Sequence, residues 1–144
     1  MTTLNTTHAT TANAAARGTD ALLTLAGRAG LAAIFITSGL EKIGSYAGTA
    51  AWMDGSGVPG ALLPAVIALE VLGGLAILLG FLTRWAALAL AGFTAVAAVL
   101  FHADLADPVQ AIMFWKNIAI AGGFLVLAAN GPGRFSLDAR RRAA

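Results

Sequence analysis

Apolar positions along this chain fall into four long blocks separated by short polar or Gly/Pro-rich joints. The blocks cover about 20–43, 61–82, 85–103 and 111–130. Each is close to the ~20 residues that cross a ~30 Å hydrocarbon layer at ~1.5 Å per residue. The ten-residue alternating segments of a membrane barrel are not seen, and lipid accommodates only helices or closed barrels. The pattern therefore predicts an all-α fold, a four-helix transmembrane bundle with short loops. Between the first two blocks, Tyr46, Trp52 and Asp54 lead into Gly57-Val58-Pro59-Gly60. That stretch predicts a short interfacial helix over about 46–54 and then a turn, with Trp and Tyr at the headgroup boundary. Thr83-Arg84 is so short a joint that the second and third helices must be antiparallel neighbours. Asp104, Asp107 and Pro108 form the next loop, and Gly131-Pro132-Gly133 ends the fourth helix.

Flanking this membrane domain (20–133) are an N-terminal segment, 1–19, and a basic C-terminal tail, 134–144. The first is rich in Thr, Ala and Asn. It lacks the basic start and apolar run of a signal peptide, and is expected to be a disordered cytoplasmic tail. Lys and Arg fall on alternate joints: Arg17 before the first block, Arg84 between the second and third, and Arg134, Arg140, Arg141 and Arg142 after the fourth. By the positive-inside rule both termini are expected in the cytoplasm.

Composition strengthens this picture. The 144 residues suffice for one small domain, with 58% hydrophobic and only 11% charged residues. A soluble domain needs about 25% charged residues to cover its surface. An ordinary soluble enzyme, a disordered chain and a nucleic-acid-binding module are thereby excluded, despite the net charge of +2. The terminal arginines are a topology signal or a headgroup contact more readily than a nucleic-acid patch. Cysteine is absent and there are two histidines, His8 and His102. No disulfide, iron–sulfur cluster, thiolate zinc site or two-histidine haem can be built from this chain, so no metal site and no cofactor is expected on its own ligands.

The candidate chemistry lies in charges that lipid should reject. An ionised side chain at mid-bilayer costs at least ~2.5–3.5 kcal/mol. Arg28, Glu70, Lys116, Asn117 and His102 all fall within or near the ends of the apolar blocks, with Glu41 and Lys42 on the outer rim of the first. Arg28, Ala32, Phe35, Gly39 and Lys42 share one helical stripe. Glu70 shares a face with Gly73 and Gly74, and Lys116 with Ala119 and Gly123, where small residues let helices approach. The expectation is an Arg28–Glu70–Lys116 network inside the bundle, with His102, Asn117, Glu41 and Lys42 above it. A buried ion pair that only fixes helix register is the alternative for the same residues.

The ordered set of segments resembles the DoxX family of small bacterial membrane proteins over about 22–138. It comprises Arg28, then Ser38-Gly39-Leu40-Glu41-Lys42-Ile43, Gly57-Val58-Pro59, and Glu70 with Gly73-Gly74. Gly80-Phe81-Leu82-Thr83-Arg84, Phe114-Trp115-Lys116-Asn117-Ile118 with Gly122-Gly123, and Gly131-Pro132-Gly133-Arg134-Phe135-Ser136-Leu137-Asp138 complete it. The resemblance implies a multi-pass bacterial inner-membrane protein. It also implies an accessory subunit of a quinone-linked or oxidative-stress membrane complex, with oxidoreductase partner subunits and not catalytic alone. Thiol chemistry does not carry over to a chain without Cys. A polar intramembrane site for a quinone head group is the leading expectation, with Glu70 accepting or relaying a proton. A small proton-coupled transporter and a structural membrane anchor or assembly factor are the competing classes. The lipid bilayer is the one certain partner; a bundle this small leaves room for a homo-oligomer, and nucleic acid is excluded.

Overall fold

The computed structural model describes the backbone of residues 3–143 and side chains from Gly18 onward; Met1, Thr2 and Ala144 lie outside the described residues, as does the side chain of His8. The elements are α1 (Thr3–Gly44), α2 (Tyr46–Gly55), a 3-10 turn (Gly60–Leu62), α3 (Leu63–Leu79), α4 (Thr83–Phe101), α5 (Pro108–Asn130) and α6 (Leu137–Ala143). There is no strand among the described residues. The fold is an all-α four-helix bundle, with α1, α3 together with the 3-10 turn that leads into it, α4 and α5 each giving a stretch long and apolar enough to cross a membrane. The interfacial helix and the four spans fall where the hydrophobic pattern puts them.

Differences at the helix ends have local causes. The helix α1 begins at Thr3, so the backbone of 3–19 is helical where a disordered tail is expected. Neither Gly nor Pro interrupts the sequence before Gly18, and propagating an existing helix is far easier than nucleating one. By contrast α3 stops at Leu79, three residues short of the expected end, because Gly80 adopts a left-handed conformation (φ 68°). Its amide and that of Phe81 turn back onto Ile77 and Ala76 carbonyls, closing the helix as a glycine cap does. A side chain at Gly80 would also collide with Ser136 and Arg28. At α5 the start moves earlier, to Pro108. Asp107 caps it, with Oδ1 accepting from the amides of Val109 (2.7 Å) and Gln110 (3.0 Å), and proline suits the first helical position.

Two helix pairs dominate the packing, α1 with α3 and α4 with α5, joined by the α3–α4 hairpin. The α1–α3 seam is built on glycines. A Cβ on Gly39 would lie 2.6 Å from Val71 Cγ2, and one on Gly74 would lie 2.8 Å from Ile36 Cγ1 and 3.2 Å from the Ala32 carbonyl. Such close approach is how membrane helices gain van der Waals contact, since lipid offers no hydrophobic drive for helix to meet helix. On α5 the small residues do less: Gly122 faces open space, Ala119 is exposed, and only Gly123 meets Leu31 of α1. At the centre Phe35 packs edge-on against Phe124 (centroids 5.3 Å) and Phe93 (6.5 Å), among Ile77, Leu90 and Leu127. Most other large apolar side chains, Leu72, Trp85, Ile112 and Val126 among them, point outward, as a lipid-facing surface requires.

Candidate functional site

The buried charges separate into two places rather than one. Arg28, 1% exposed, lies at the end of the bundle that holds the α3–α4 turn and the C-terminal segment. Its Nε donates to the Ile77 carbonyl (2.8 Å) and its Nη2 to that of Leu78. Its Nη1 donates to the carbonyls of Pro132 (2.7 Å) and Phe135 (2.8 Å). The last carbonyls of a helix lack intrahelical partners and carry partial negative charge, so a guanidinium there satisfies both needs. Arg28 is thus a structural clamp joining α1, the end of α3 and the segment after α5.

Glu70 instead meets Lys42. The expected Arg28–Glu70–Lys116 network does not form, and the reason is axial register. A Cβ on Gly39 would lie 3.3 Å from Glu70 Cβ, so these two residues are level. Lys42 is less than one turn further along α1, whereas Arg28 is eleven residues the other way, ~16 Å at helical rise. Lys42 Nζ hydrogen-bonds Glu70 Oε1 at 3.0 Å and also reaches the Ser38 carbonyl at 3.4 Å. It lies 3.0 Å from Oε2 too, close enough for an ion pair, yet Oε2 accepts no hydrogen bond. The ammonium thus lies against both carboxylate oxygens, hydrogen-bonded to Oε1 and ion-paired with Oε2.

This pair lines a cavity of about 350 Å³ in the half of the bundle opposite Arg28. Most of its wall is apolar, from Ile34 and Phe35 of α1, Val66 of α3, and Phe93 and Leu100 of α4. The polar groups on that wall include Ser38, Lys42, Glu70, Thr94, His102, Lys116 and Asn117. Four of the five expected intramembrane residues thus meet at one cavity, with Lys42 from the expected rim, while Arg28 stands apart. Glu41 is exposed and is not among the lining residues. Lys116 is exposed, its Nζ 3.0 Å from Met113 Sδ, so it borders the cavity without pairing with Glu70. His102 caps the end of α4, its Nδ1 2.7 Å from Gln110 Oε1. Thr94 is buried and bonds its own helix at the Leu90 carbonyl, which leaves little polarity for a ligand.

Beyond the polar groups, α2 covers one side. Trp52 stacks on Phe101 (centroids 4.6 Å, planes 27° apart), and both line the cavity with Met53. The joint after α2 is fixed by the Gly60 amide donating to Asp54 Oδ1 (2.7 Å). Reading Trp52 only as a headgroup anchor misses this role; the signal was an aromatic on a short helix folded back over the bundle. No group of three or more His, Cys, Asp or Glu residues placed to hold a metal ion exists among the described residues. An apolar cavity with a few convergent polar groups is the usual form of a small-molecule site.

Comparison with known proteins places this architecture among relatives. The DoxX family model matches residues 23–103. The chain is 57% identical over 105 residues to the inner membrane protein YqjF of Escherichia coli strain K12, covering 73% of this chain and 81% of that one. It is 40% identical over 127 residues to the inner membrane protein YphA of the same organism, covering 83% and 90%. No solved structure matches the chain.

Proposed function

The chain belongs to the DoxX family, and from that premise we propose that it is an inner-membrane accessory subunit whose cavity binds a small amphiphile with a quinone-type head. The observation that carries this reading is the Lys42–Glu70 pair set in the wall of an otherwise mainly apolar 350 Å³ cavity. Holding that pair away from water is costly, and register alone would not call for a cavity beside it. The volume lies within the range of small-molecule pockets. The apolar wall accepts a ring and its tail, while Lys42 and Asn117 offer hydrogen bonds to the head. Without cysteine the chain has no thiol pair of its own to exchange electrons with such a head.

Titration of the protein in lipid nanodiscs with a decyl-substituted benzoquinone, followed by fluorescence of cavity-lining Trp52, tests the site. Saturable quenching is expected in the wild type. The Lys42→Met/Glu70→Gln variant removes the pair without stranding a charge and should weaken binding about tenfold or more, the worth of one hydrogen bond to a charged group. Equal affinity in both proteins would overturn the assignment.

A further inference from the structure

Arginines with described side chains are of two kinds. Arg28 turns all three guanidinium nitrogens to backbone carbonyls. Arg84, Arg134, Arg140, Arg141 and Arg142, gathered at the same end of the bundle, are exposed. None of these five makes a hydrogen bond or a direct ion pair among the described residues, although each guanidinium carries five N–H donors and no acceptor. Two acids stand near them. Asp138 lies close to Arg142, but its oxygens already accept three bonds from Leu82 and Thr83. Asp20 is exposed, one turn of α1 beyond the Thr24 that borders Gly133. Five cations against two carboxylates leave this end positive.

The fold arranges them. The Asp138 amide donates to the Gly80 carbonyl (2.9 Å), which fixes α6 to the α3–α4 turn. Arg142 stands one turn after Asp138 on the same face, and Arg84 follows Thr83, so both flank the Asp138–Thr83 contact. Arg141 lies over the Phe81 ring at 4.7 Å and Arg134 over the Phe135 ring at 5.0 Å. A guanidinium stacked by its face keeps its N–H edge for an oxygen. Among the arginines stand Leu82, Trp85, Phe135 and Leu137, all exposed. At a bilayer boundary such apolar side chains enter the acyl layer while guanidinium groups stay level with the phosphates. A soluble anion would meet the arginines and leave the four apolar side chains in water; a lipid answers both.

We infer that α6 and the α3–α4 turn form a binding site for an anionic phospholipid of the adjoining leaflet. Its phosphate is taken between Arg84, Arg141 and Arg142, and its chains run beside Leu82 and Trp85. The site lies in the other half of the bundle from the cavity and stands whatever ligand the cavity takes. An occupied site ties α6 to the turn a second time, beside Asp138, and so stabilises the folded chain.

Native mass spectrometry of the full chain in a neutral detergent counts bound lipid during titration with phosphatidylglycerol or with phosphatidylcholine of the same acyl chains. The anionic lipid is expected to bind at least about tenfold tighter, since each basic residue near an anionic headgroup adds roughly a factor of five. In Arg84→Gln/Arg141→Gln and in Arg141→Gln/Arg142→Gln the preference should fall about tenfold or vanish, and helical circular dichroism checks that both variants fold. Lys116→Gln, which removes the exposed cation at the cavity, should keep the wild-type preference. Equal affinity of the wild type for the two lipids overturns the site. So does a preference that survives both arginine variants, or one lost in Lys116→Gln, which places the lipid at the cavity instead. Glycerol phosphate, a head without chains, should not displace the lipid at equal concentration; displacement assigns the arginines to a soluble anion and overturns the lipid site.

Discussion

Four backbone carbonyls converge on Arg28 and tie α1 to the end of α3 and to the segment after α5. Removing it strands several buried acceptors at ~1–3 kcal/mol each. Arg28→Met is therefore expected to destabilise the protein by about 3 kcal/mol or more, measured by thermal unfolding in detergent. Arg28→Lys should recover little, because an ammonium on a flexible stem cannot reproduce the fork of a guanidinium. Arg28 lies at the opposite end from the cavity, so folded Arg28→Lys protein should bind the decyl-substituted benzoquinone with wild-type affinity. The sequence placed Lys42 on the outer rim and Lys116 inside, but that Arg28 and Glu70 point inward was legible, from the stripe of α1 that holds Arg28 and from Gly73 and Gly74 beside Glu70. Which cation meets Glu70 was not. Periodicity fixes the face of a helix but not its axial register against a neighbour, and here register is set by Gly39 and Gly74 at the seam. Lys116 was assigned inward on the strength of Ala119 and Gly123, yet its side chain is exposed because α5 packs chiefly on α4.

Between elements, the C-terminal α6 closes the α3–α4 turn. Asp138 Oδ1 accepts from the Leu82 amide (2.9 Å), and Oδ2 accepts from the Thr83 amide (2.9 Å) and hydroxyl (2.8 Å). The Asp138 amide in turn donates to the Gly80 carbonyl (2.9 Å). A carboxylate from another helix thereby caps the N-terminus of α4 and holds Leu82 at φ 45°, a conformation costly for a side chain. Partial burial pushes the Asp138 carboxyl up, but the bonds from Thr83 and Leu82, with Arg142 nearby, outweigh it and hold it below the ordinary value of 3.8. The sign follows from linkage: a depressed carboxyl stabilises the fold fully above pH 3.8, and that stability is lost as pH falls through the lower folded value. Asp138→Asn should thus unfold at lower temperature than wild type at pH 7, with the gap narrowing below about pH 4. A gap unchanged down to complete unfolding would contradict the clasp. Sequence periodicity locates the spans within a few residues, but seven-residue α6 and its cap rest on long-range contacts that no local pattern reports.

Across the whole molecule the two ends of the bundle differ in charge. Arg84 follows the turn clasped by Asp138, and Arg134, Arg140, Arg141 and Arg142 belong to the segment held by Arg28 and Asp138, so five arginines gather at one end. Arg141 lies over the Phe81 ring, 4.7 Å from its centroid, keeping part of that cluster on the turn. The opposite half carries Glu41, Asp54, Asp104 and Asp107 against two lysines, Lys116 and Lys42, the latter taken up by Glu70. Insertion keeps Lys and Arg on the cytoplasmic side near span ends, so both termini are expected there, with the cavity in the outer half. Because the chain contains no cysteine, single substitutions report sidedness cleanly. In intact spheroplasts a membrane-impermeant maleimide should label Ser56→Cys, after α2, and leave Ala143→Cys, in α6, untouched until the membrane is permeabilised. Labelling of Ala143→Cys before permeabilisation would invert the topology, and a ligand would then enter the cavity from the cytoplasmic leaflet.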